Sequence, residues 1–306
     1  MSDFRLTILG SSGALPAYGR FTSAQHLAIR HHQFLIDCGE GCQHQLRRYD
    51  LSPQKINHIF ISHLHGDHYL GLTGLLFSMH LQRRESDLHL YSFRGLEEIL
   101  LAQMKHARSS LNFKVILHPL SDAGPELIFE DDHLTVQSFP MDHKIPTCGF
   151  LFREKPRSRS LDKSKLTPGI PVEFMSKLRS GEDIMNDQNE VIYRSDDYTL
   201  PPRPSRAYAY CTDTQPSDGV LPIISGVDLL HHEATFMEEE KVKARETKHS
   251  TAAEAAKVAL QAQVRKLIIG HFSARYKDLN VMLNEARNLF PETYLAQEGE
   301  IFEIAD

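Results

Sequence analysis

Short apolar runs separated by turn residues recur from one end of the chain to the other. "FRLTILG", "QHLAIR", "QFLIDC", "HIFIS", "LHLYS", "LTVQSFP", "CGFLF", "AYAYC", "VDLLHH", "KLIIGH" and "EIFEI" are brief, rich in β-branched and aromatic residues, and read as strands. Between them lie stretches with apolar residues at helical spacing: "GEGCQHQLRRYD", "RGLEEILLAQMKHA", "TAAEAAKVALQAQ" and "LNEARNLF". The third is the clearest, because Thr251 and Glu254 form the pattern of a capping box. Strands mixed with helices over 306 residues predict an α/β layered fold.

One segment departs from this pattern. Residues 153–204 are rich in proline, serine and charge, with only short apolar stretches. Between Arg153 and Arg179, eight Lys or Arg face three Asp or Glu, a local excess of five positive charges. The chain as a whole carries a net charge of −6, which argues against a general nucleic-acid binder. A basic insertion on an acidic body concentrates phosphate-attracting charge in one place.

Other bulk properties narrow the classes. With 41% apolar and 24% charged residues, the composition is that of an ordinary globular protein. No apolar run approaches the roughly 20 residues that span a bilayer. The chain also shows no basic stretch leading into a cleavage site. The expectation is a cytoplasmic protein with no membrane partner. Cys38, Cys42, Cys148 and Cys211 contain no Cys-x-x-Cys pair, so a zinc ribbon or thioredoxin motif is not expected, and they read as small buried residues. Histidine is abundant at 18 residues, so its positions carry information.

The stretch "FISHLHGDHYLGL" follows a predicted strand and places His63, His65, Asp67 and His68 within six positions. Imidazole and carboxylate bind zinc and similar divalent ions, and Gly66 permits the tight turn that re-aims the second pair. Such a loop can serve two metals, but four residues do not fill two coordination shells. Three other predicted strands end in ligand-type residues: "LTVQSFPMDH" at His143, "AYAYCTD" at Asp213 and "KLIIGH" at His271. This is the arrangement expected of a site at the carboxyl ends of strands.

His63-x-His65-x-Asp67-His68, with His143, Asp213 and His271 at these intervals, resembles the metallo-β-lactamase superfamily. "LGSSGALP", "DCGEGCQHQL", "HEATF", "HSTAAEAA" and "GHFSARY" extend the resemblance over nearly the whole chain, and make it specifically similar to the ribonuclease Z family. That resemblance implies a four-layer αββα sandwich formed by residues 1–306 as a single domain, with a protruding basic arm at 153–204 that grips the tRNA elbow. It implies an endonuclease that hydrolyses a phosphodiester at the 3′ end of tRNA precursors, removing the trailer and leaving a 3′ hydroxyl. It implies two zinc ions per subunit, with manganese or iron also suited to an all-nitrogen-and-oxygen site. His63, His65 and His143 would hold one metal, Asp67, His68 and His271 the other, and Asp213 would bridge them. Asp67 would also accept a proton from the attacking water. The family is typically a homodimer, so a homodimer is expected here too.

His249 stands just before the helix predicted at Thr251, where a phosphate would meet an imidazole and the backbone N–H groups of the helix N-terminus. Glu233, after the strand "VDLLHH", could fix the tautomer of His249 and raise its basicity. Together they are the candidate group that stabilises the phosphate or donates a proton to the departing 3′ oxygen, and its positioning partner. Ser273 and Arg275 in "HFSARY", and Lys163 and Lys165 in the basic segment, are the candidate substrate contacts. Two departures from the family pattern stand out: "TPGIPVEF" has Ile170 between Gly169 and Pro171, and "AYGRFTSA" has Phe21 where asparagine would follow Arg20.

Two other readings compete. The same chemistry could act on small or cyclic nucleotide phosphodiesters, but such a substrate gives the basic arm no use. A tRNA- or metal-binding protein without catalysis would not need Asp67, Glu233 and His249 all present.

Overall fold

The computed structural model of the chain describes residues 3–166 and 170–305. Two seven-stranded sheets form from the described residues. The first runs, edge to edge, Ile301–Glu303, Phe4–Gly10, Ala24–Ile29, His32–Cys38, His58–Phe60, Leu88–Ser92 and Val115–Pro119. The second runs Thr293–Leu295, Lys266–Gly270, Leu229–Glu233, Ala207–Cys211, Cys148–Glu154, Leu134–Pro140 and Glu126–Glu130.

Strand periodicity decides which side chains fill which layer. Successive residues of a strand face opposite sides of the sheet. Phe34, Ile36 and Phe60 therefore enter the interior shared with Val136, Phe150, Phe152 and Tyr208 of the second sheet. Leu35, Ile59 and Ile61 face outward, against Leu46, Leu75, Leu76, Met79 and Leu100 of helices Cys42–Arg48, Leu72–Leu81 and Leu96–His106. Helices Ala252–Gln261 and Asn280–Arg287 pack on the second sheet. The result is the four-layer αββα sandwich that the resemblance implied. The four cysteines are free and buried, as their small apolar character suggested.

All eleven anticipated strands form. In the two large sheets, the strands that sequence patterning missed are Val115–Pro119, Glu126–Glu130 and Thr293–Leu295, and each lies at a sheet edge. Edge strands bury little, so selection for apolar alternation is weak there. The helix Leu72–Leu81 was also unanticipated. It is apolar on nearly every side and carries Gly74, which hides a helical period. The helix expected over residues 283–290 begins three residues earlier, where the Asp278 carboxylate accepts the backbone N–H of Asn280 at 2.9 Å.

Residues 155–206 leave the second sheet after Glu154 and return at Ala207, two paired neighbouring strands. This segment has its own small elements: helix Val172–Ser180, and the strand pairs Ser160–Leu161 with Thr199–Leu200 and Ile184–Met185 with Val191–Tyr193. Leu178, Ile184 and Ile170 are buried within it. Gly169, part of the altered Gly-Pro pattern, lies outside the described residues.

The root of the segment is clasped. Glu154 Oε2 accepts from Arg206 Nε at 2.8 Å, and Glu154 Oε1 accepts from Arg206 Nη2 at 2.8 Å and from Arg157 Nη2 at 2.8 Å. Burial alone would raise the Glu154 carboxyl, but these guanidinium groups hold it down at about 2 from an ordinary 4.5. A depressed carboxylate stabilises the fold above the unfolded value and loses that contribution as pH falls through the folded one. Chemical denaturation should therefore show a loss of about 3 kcal/mol from this group between roughly pH 4.5 and pH 2. Glu154→Gln should flatten that acid limb, and an unchanged limb would count against the clasp.

Candidate active site

The strands that carry the predicted ligands run in parallel, so their carboxyl ends meet along one rim. His32–Cys38 delivers Asp37, His58–Phe60 leads to His63, and Leu134–Pro140 leads to His143. Ala207–Cys211, Leu229–Glu233 and Lys266–Gly270 deliver Asp213, Glu233 and His271. At three of these ends the backbone turns sharply: Asp37, Asp213 and His271 have φ of +55°, +46° and +58°. Left-handed backbone at non-glycine residues costs about 1 kcal/mol or more each and gathers at functional sites. Here it swings each side chain off its strand into the rim.

Seven predicted ligands converge in two groups. His63, His65, His143 and Asp213 each place a donor atom within 4.8 Å of the others, as do Asp67, His68 and His271. His63 Nε2 lies 3.0 Å from His65 Nδ1, which lies 3.3 Å from His143 Nε2. His68 Nε2 lies 3.3 Å from His271 Nε2, which lies 3.3 Å from Asp67 Oδ2. Asp213 divides its carboxylate between the groups. Oδ2 is 3.5 Å from His63 Nε2 and 3.8 Å from His143 Nε2, while Oδ1 is 3.2 Å from both His68 Nε2 and His271 Nε2.

The outer nitrogens of the rings fix which atom faces inward. The Ser62 hydroxyl donates to Asp37 Oδ2 at 2.9 Å, so it accepts from His63 Nδ1 at 3.1 Å. His68 Nδ1 donates to Asp37 Oδ2 at 2.7 Å, and His143 Nδ1 donates to the Lys248 carbonyl at 3.1 Å. The Thr235 hydroxyl donates to Glu233 Oε2 at 2.7 Å and accepts from His271 Nδ1 at 2.8 Å. Four Nε2 lone pairs are thereby aimed at the centre, in the manner of histidines oriented as metal ligands.

This donor set fits divalent metal. Nitrogens held by one tetrahedral ion stand roughly 3.3 Å apart, close to the spacings above. Burial, with neighbouring imidazoles adding to it, pushes His63 well below its ordinary value, and burial likewise lowers His65 and His143. These rings are neutral and carry free lone pairs. Burial would raise Asp213 and Asp67, but the adjacent His271, His68 and, for Asp213, His63 hold both carboxyls well below the usual range. Burial opposes a charge on His68, but the carboxylates of Asp213, Asp37 and Asp67 outweigh it and raise His68 well above its ordinary value, so a metal cation here would take the place of a proton that the carboxylates already favour.

Asp67 is also anchored from the loop "LGSSGALP", since the Ala14 N–H donates to its Oδ2 at 2.7 Å. That approach requires Gly13, where a Cβ would sit 2.7 Å from the His271 ring. Asp37 was quoted within a motif but given no role by sequence reasoning. It accepts from the Ser62 N–H at 2.7 Å and the Tyr210 hydroxyl at 2.7 Å as well as from His68. Its position at a strand end, like Asp213's, was the available signal.

His249 stands beside both groups, its ring centroid 5.1 Å from that of His143 and 5.4 Å from that of His271. Its Nδ1 donates to Glu233 Oε1 at 2.8 Å. Glu233 is fully buried and also accepts from the N–H groups of Thr214 and Thr235. Burial opposes a charge on His249, but the Glu233 carboxylate outweighs it and raises the imidazole to about 9. The capping box at Thr251 and Glu254 forms as expected. The N–H groups of the helix start are already taken, however: Ala252 donates to the Phe236 carbonyl, Ala253 to Glu285 and Glu254 to Thr251. A phosphate at this point meets the His249 side chain, not the helix N-terminus.

Ser273 adjoins His271, and its hydroxyl accepts the Arg275 N–H at 3.4 Å within a tight turn. Arg275 pairs with Glu240 at 2.6 Å and lies over the Phe236 ring. Lys163 and Lys165 are exposed in a turn of the inserted segment. Phe21 stacks near the His44 ring, and its carbonyl accepts the N–H groups of Ser11 and Ser12.

Comparison with known proteins agrees with the geometry. Residues 4–158 match the family model described as "Anti-Pycsar protein Apyc1". Ribonuclease Z of Bacteroides thetaiotaomicron is 45% identical over 300 residues, covering 98% of this chain and 95% of the relative. Ribonuclease Z of Cytophaga hutchinsonii is 45% identical over 304 residues, covering 99% and 97%. Among solved structures, the short form of human tRNase Z superposes with a TM-score of 0.72 at 26% identity, covering 99% of this chain and all of that one. Near-complete coverage at this identity, over a fold whose strand ends assemble the expected ligands, decides the assignment: the chain belongs to the ribonuclease Z family of the metallo-β-lactamase fold.

Proposed function

We propose that this protein is a zinc-dependent endoribonuclease that cuts tRNA precursors at their 3′ end, removing the trailer and leaving a 3′ hydroxyl. The observation that carries the chemistry is the carboxylate of Asp213 shared between two imidazole groups, with the His249–Glu233 pair at their edge. Family membership carries the substrate. His63, His65 and His143 would hold one ion, Asp67, His68 and His271 a second, with Asp213 common to both. Two bound divalent ions supply charge neutralisation for a phosphodiester and acidify water near neutral pH. Asp67 is ionised and held by the Ala14 N–H, so it can orient the attacking water and accept its proton. His249 donates Nδ1–H to Glu233, and that carboxylate keeps the ring an imidazolium up to about pH 9, so Nε2 also carries a proton that can pass to the departing 3′ oxygen.

The basic insertion supports an RNA substrate. At its root, Arg30, His133, Lys155, Arg157, Arg179 and Arg203 line a recess of about 480 Å³. Such a surface attracts a polyphosphate backbone through counterion release. In this reading the segment 153–204 is a substrate-binding arm, with Lys163 and Lys165 at an exposed turn, and Ser273 and Arg275 contact substrate nearer the metals. The same reading makes the enzyme a cytoplasmic homodimer. Among the described residues, no helix is long and apolar enough to cross a membrane.

Deleting residues 155–200 should weaken tRNA cleavage by at least tenfold while sparing hydrolysis of a small chromogenic phosphodiester. Equal loss of both activities would contradict the arm's role. Full retention of tRNA cleavage would likewise contradict the arm's role.

A further inference from the structure

We propose that His31, His32 and Asp131 form a separate binding site for a divalent transition-metal ion, at the end of the sandwich opposite the active site. The three residues each place a ligand atom within 4.8 Å of the others. His32 opens the strand whose far end delivers Asp37, so five residues at about 3.3 Å each set the two sites roughly 17 Å apart. His31 lies in the two-residue turn between Ala24–Ile29 and His32–Cys38 of the first sheet. Asp131 lies in the turn between Glu126–Glu130 and Leu134–Pro140 of the second. An ion held here would clip one sheet to the other.

The carboxylate is prepared for the task. Asp131 Oδ1 accepts the N–H groups of His133 and Leu134 at 2.7 and 2.8 Å, which aims Oδ2 at His32 Nε2, 2.7 Å away. Hydrogen bonds of this kind orient a ligating carboxylate. Glu130, already paired with Lys155 at 2.6 Å, and Asp132 flank Asp131, so the ion would depend on the directly ligating groups and not on a general negative field. The bland alternative is an ion pair of His32 with Asp131. It accounts for two of the residues but leaves His31 with its ring centroid 4.0 Å from that of His32 and no stated role. Two imidazoles and one carboxylate are the ligand set of zinc and its first-row neighbours, with the fourth position left to water. The histidines behind the cluster are packing residues. His58 stacks on His89 at 4.9 Å, and burial together with His89 pushes it down to about 3.

The test is zinc stoichiometry. Chelator-stripped wild-type protein, His31→Gln and Asp131→Asn are each dialysed against zinc and their metal content measured. Each variant should hold one equivalent fewer than wild type, with cleavage of a tRNA precursor unchanged by His31→Gln. His31 is exposed, so its replacement leaves the fold intact, as circular dichroism would verify. The difference of one equivalent does not depend on how many ions the active site holds. Equal zinc in wild type and His31→Gln would overturn the proposal.

Discussion

Replacing His249 by alanine lowers kcat for tRNA precursor cleavage 100-fold or more and leaves the metal content unchanged. The size follows from the loss of a positioned acid, ordinarily worth 10²–10⁴. The unchanged metal follows from geometry. His249 spends Nδ1 on Glu233, and although a ring nitrogen of His249 lies within 4.8 Å of ligand atoms of Asp213 and His271, the two groups have their expected ligands without it. Full activity with full metal would remove His249 from the mechanism. Glu233→Gln tests the partner by a readout that packing alone would not move. The imidazole is raised to about 9 chiefly against burial, by the Glu233 charge. Its acid form is present below that value and lost above it. Removing the carboxylate lowers the value, so the alkaline limb of the pH–rate profile should move to lower pH. A uniform drop in rate with no displacement would make Glu233 merely structural.

The second large effect is at Asp213. Asp213→Asn should lower turnover on the order of a thousandfold and, unlike the His249 change, should reduce bound metal at both groups. The carboxylate faces His63 and His143 through one oxygen and His68 and His271 through the other. Asparagine keeps the shape and tolerates the left-handed backbone at this position, so the loss reports charge, not strain. Metal content measured by mass spectrometry, with circular dichroism to verify the fold, decides it. Wild-type metal content in the variant would mean that Asp213 is not shared.

Much of this site was legible because its chemistry is written as residue types at strand ends. His63 to His68 stand in one loop, and His143, Asp213 and His271 each close an apolar run. The residues that orient them were harder to see. Asp37 and Thr235 act through hydrogen bonds to ring nitrogens across 31 and 36 residues of chain, a pairing that no local pattern encodes. The N-terminus of helix Ala252–Gln261 misled for a related reason. Its start signals are clear, but the sequence does not reveal that Phe236 and Glu285 already occupy its N–H groups. The fold shows the same division. Buried strands such as Phe4–Gly10 carry an apolar signal, while Val115–Pro119 and Glu126–Glu130 at the sheet edges carry little. The excess of histidine resolves into two places, the metal rim and the cluster around His31, His32 and His58.

Mapping the cut in a 3′-extended tRNA precursor incubated with the purified, zinc-loaded protein tests the central claim most directly. The account predicts a single cleavage at the 3′ end of the tRNA body, a product ending in a 3′ hydroxyl, and loss of that product in His249→Ala. An intact precursor under conditions where a cyclic or other small phosphodiester is turned over would contradict it.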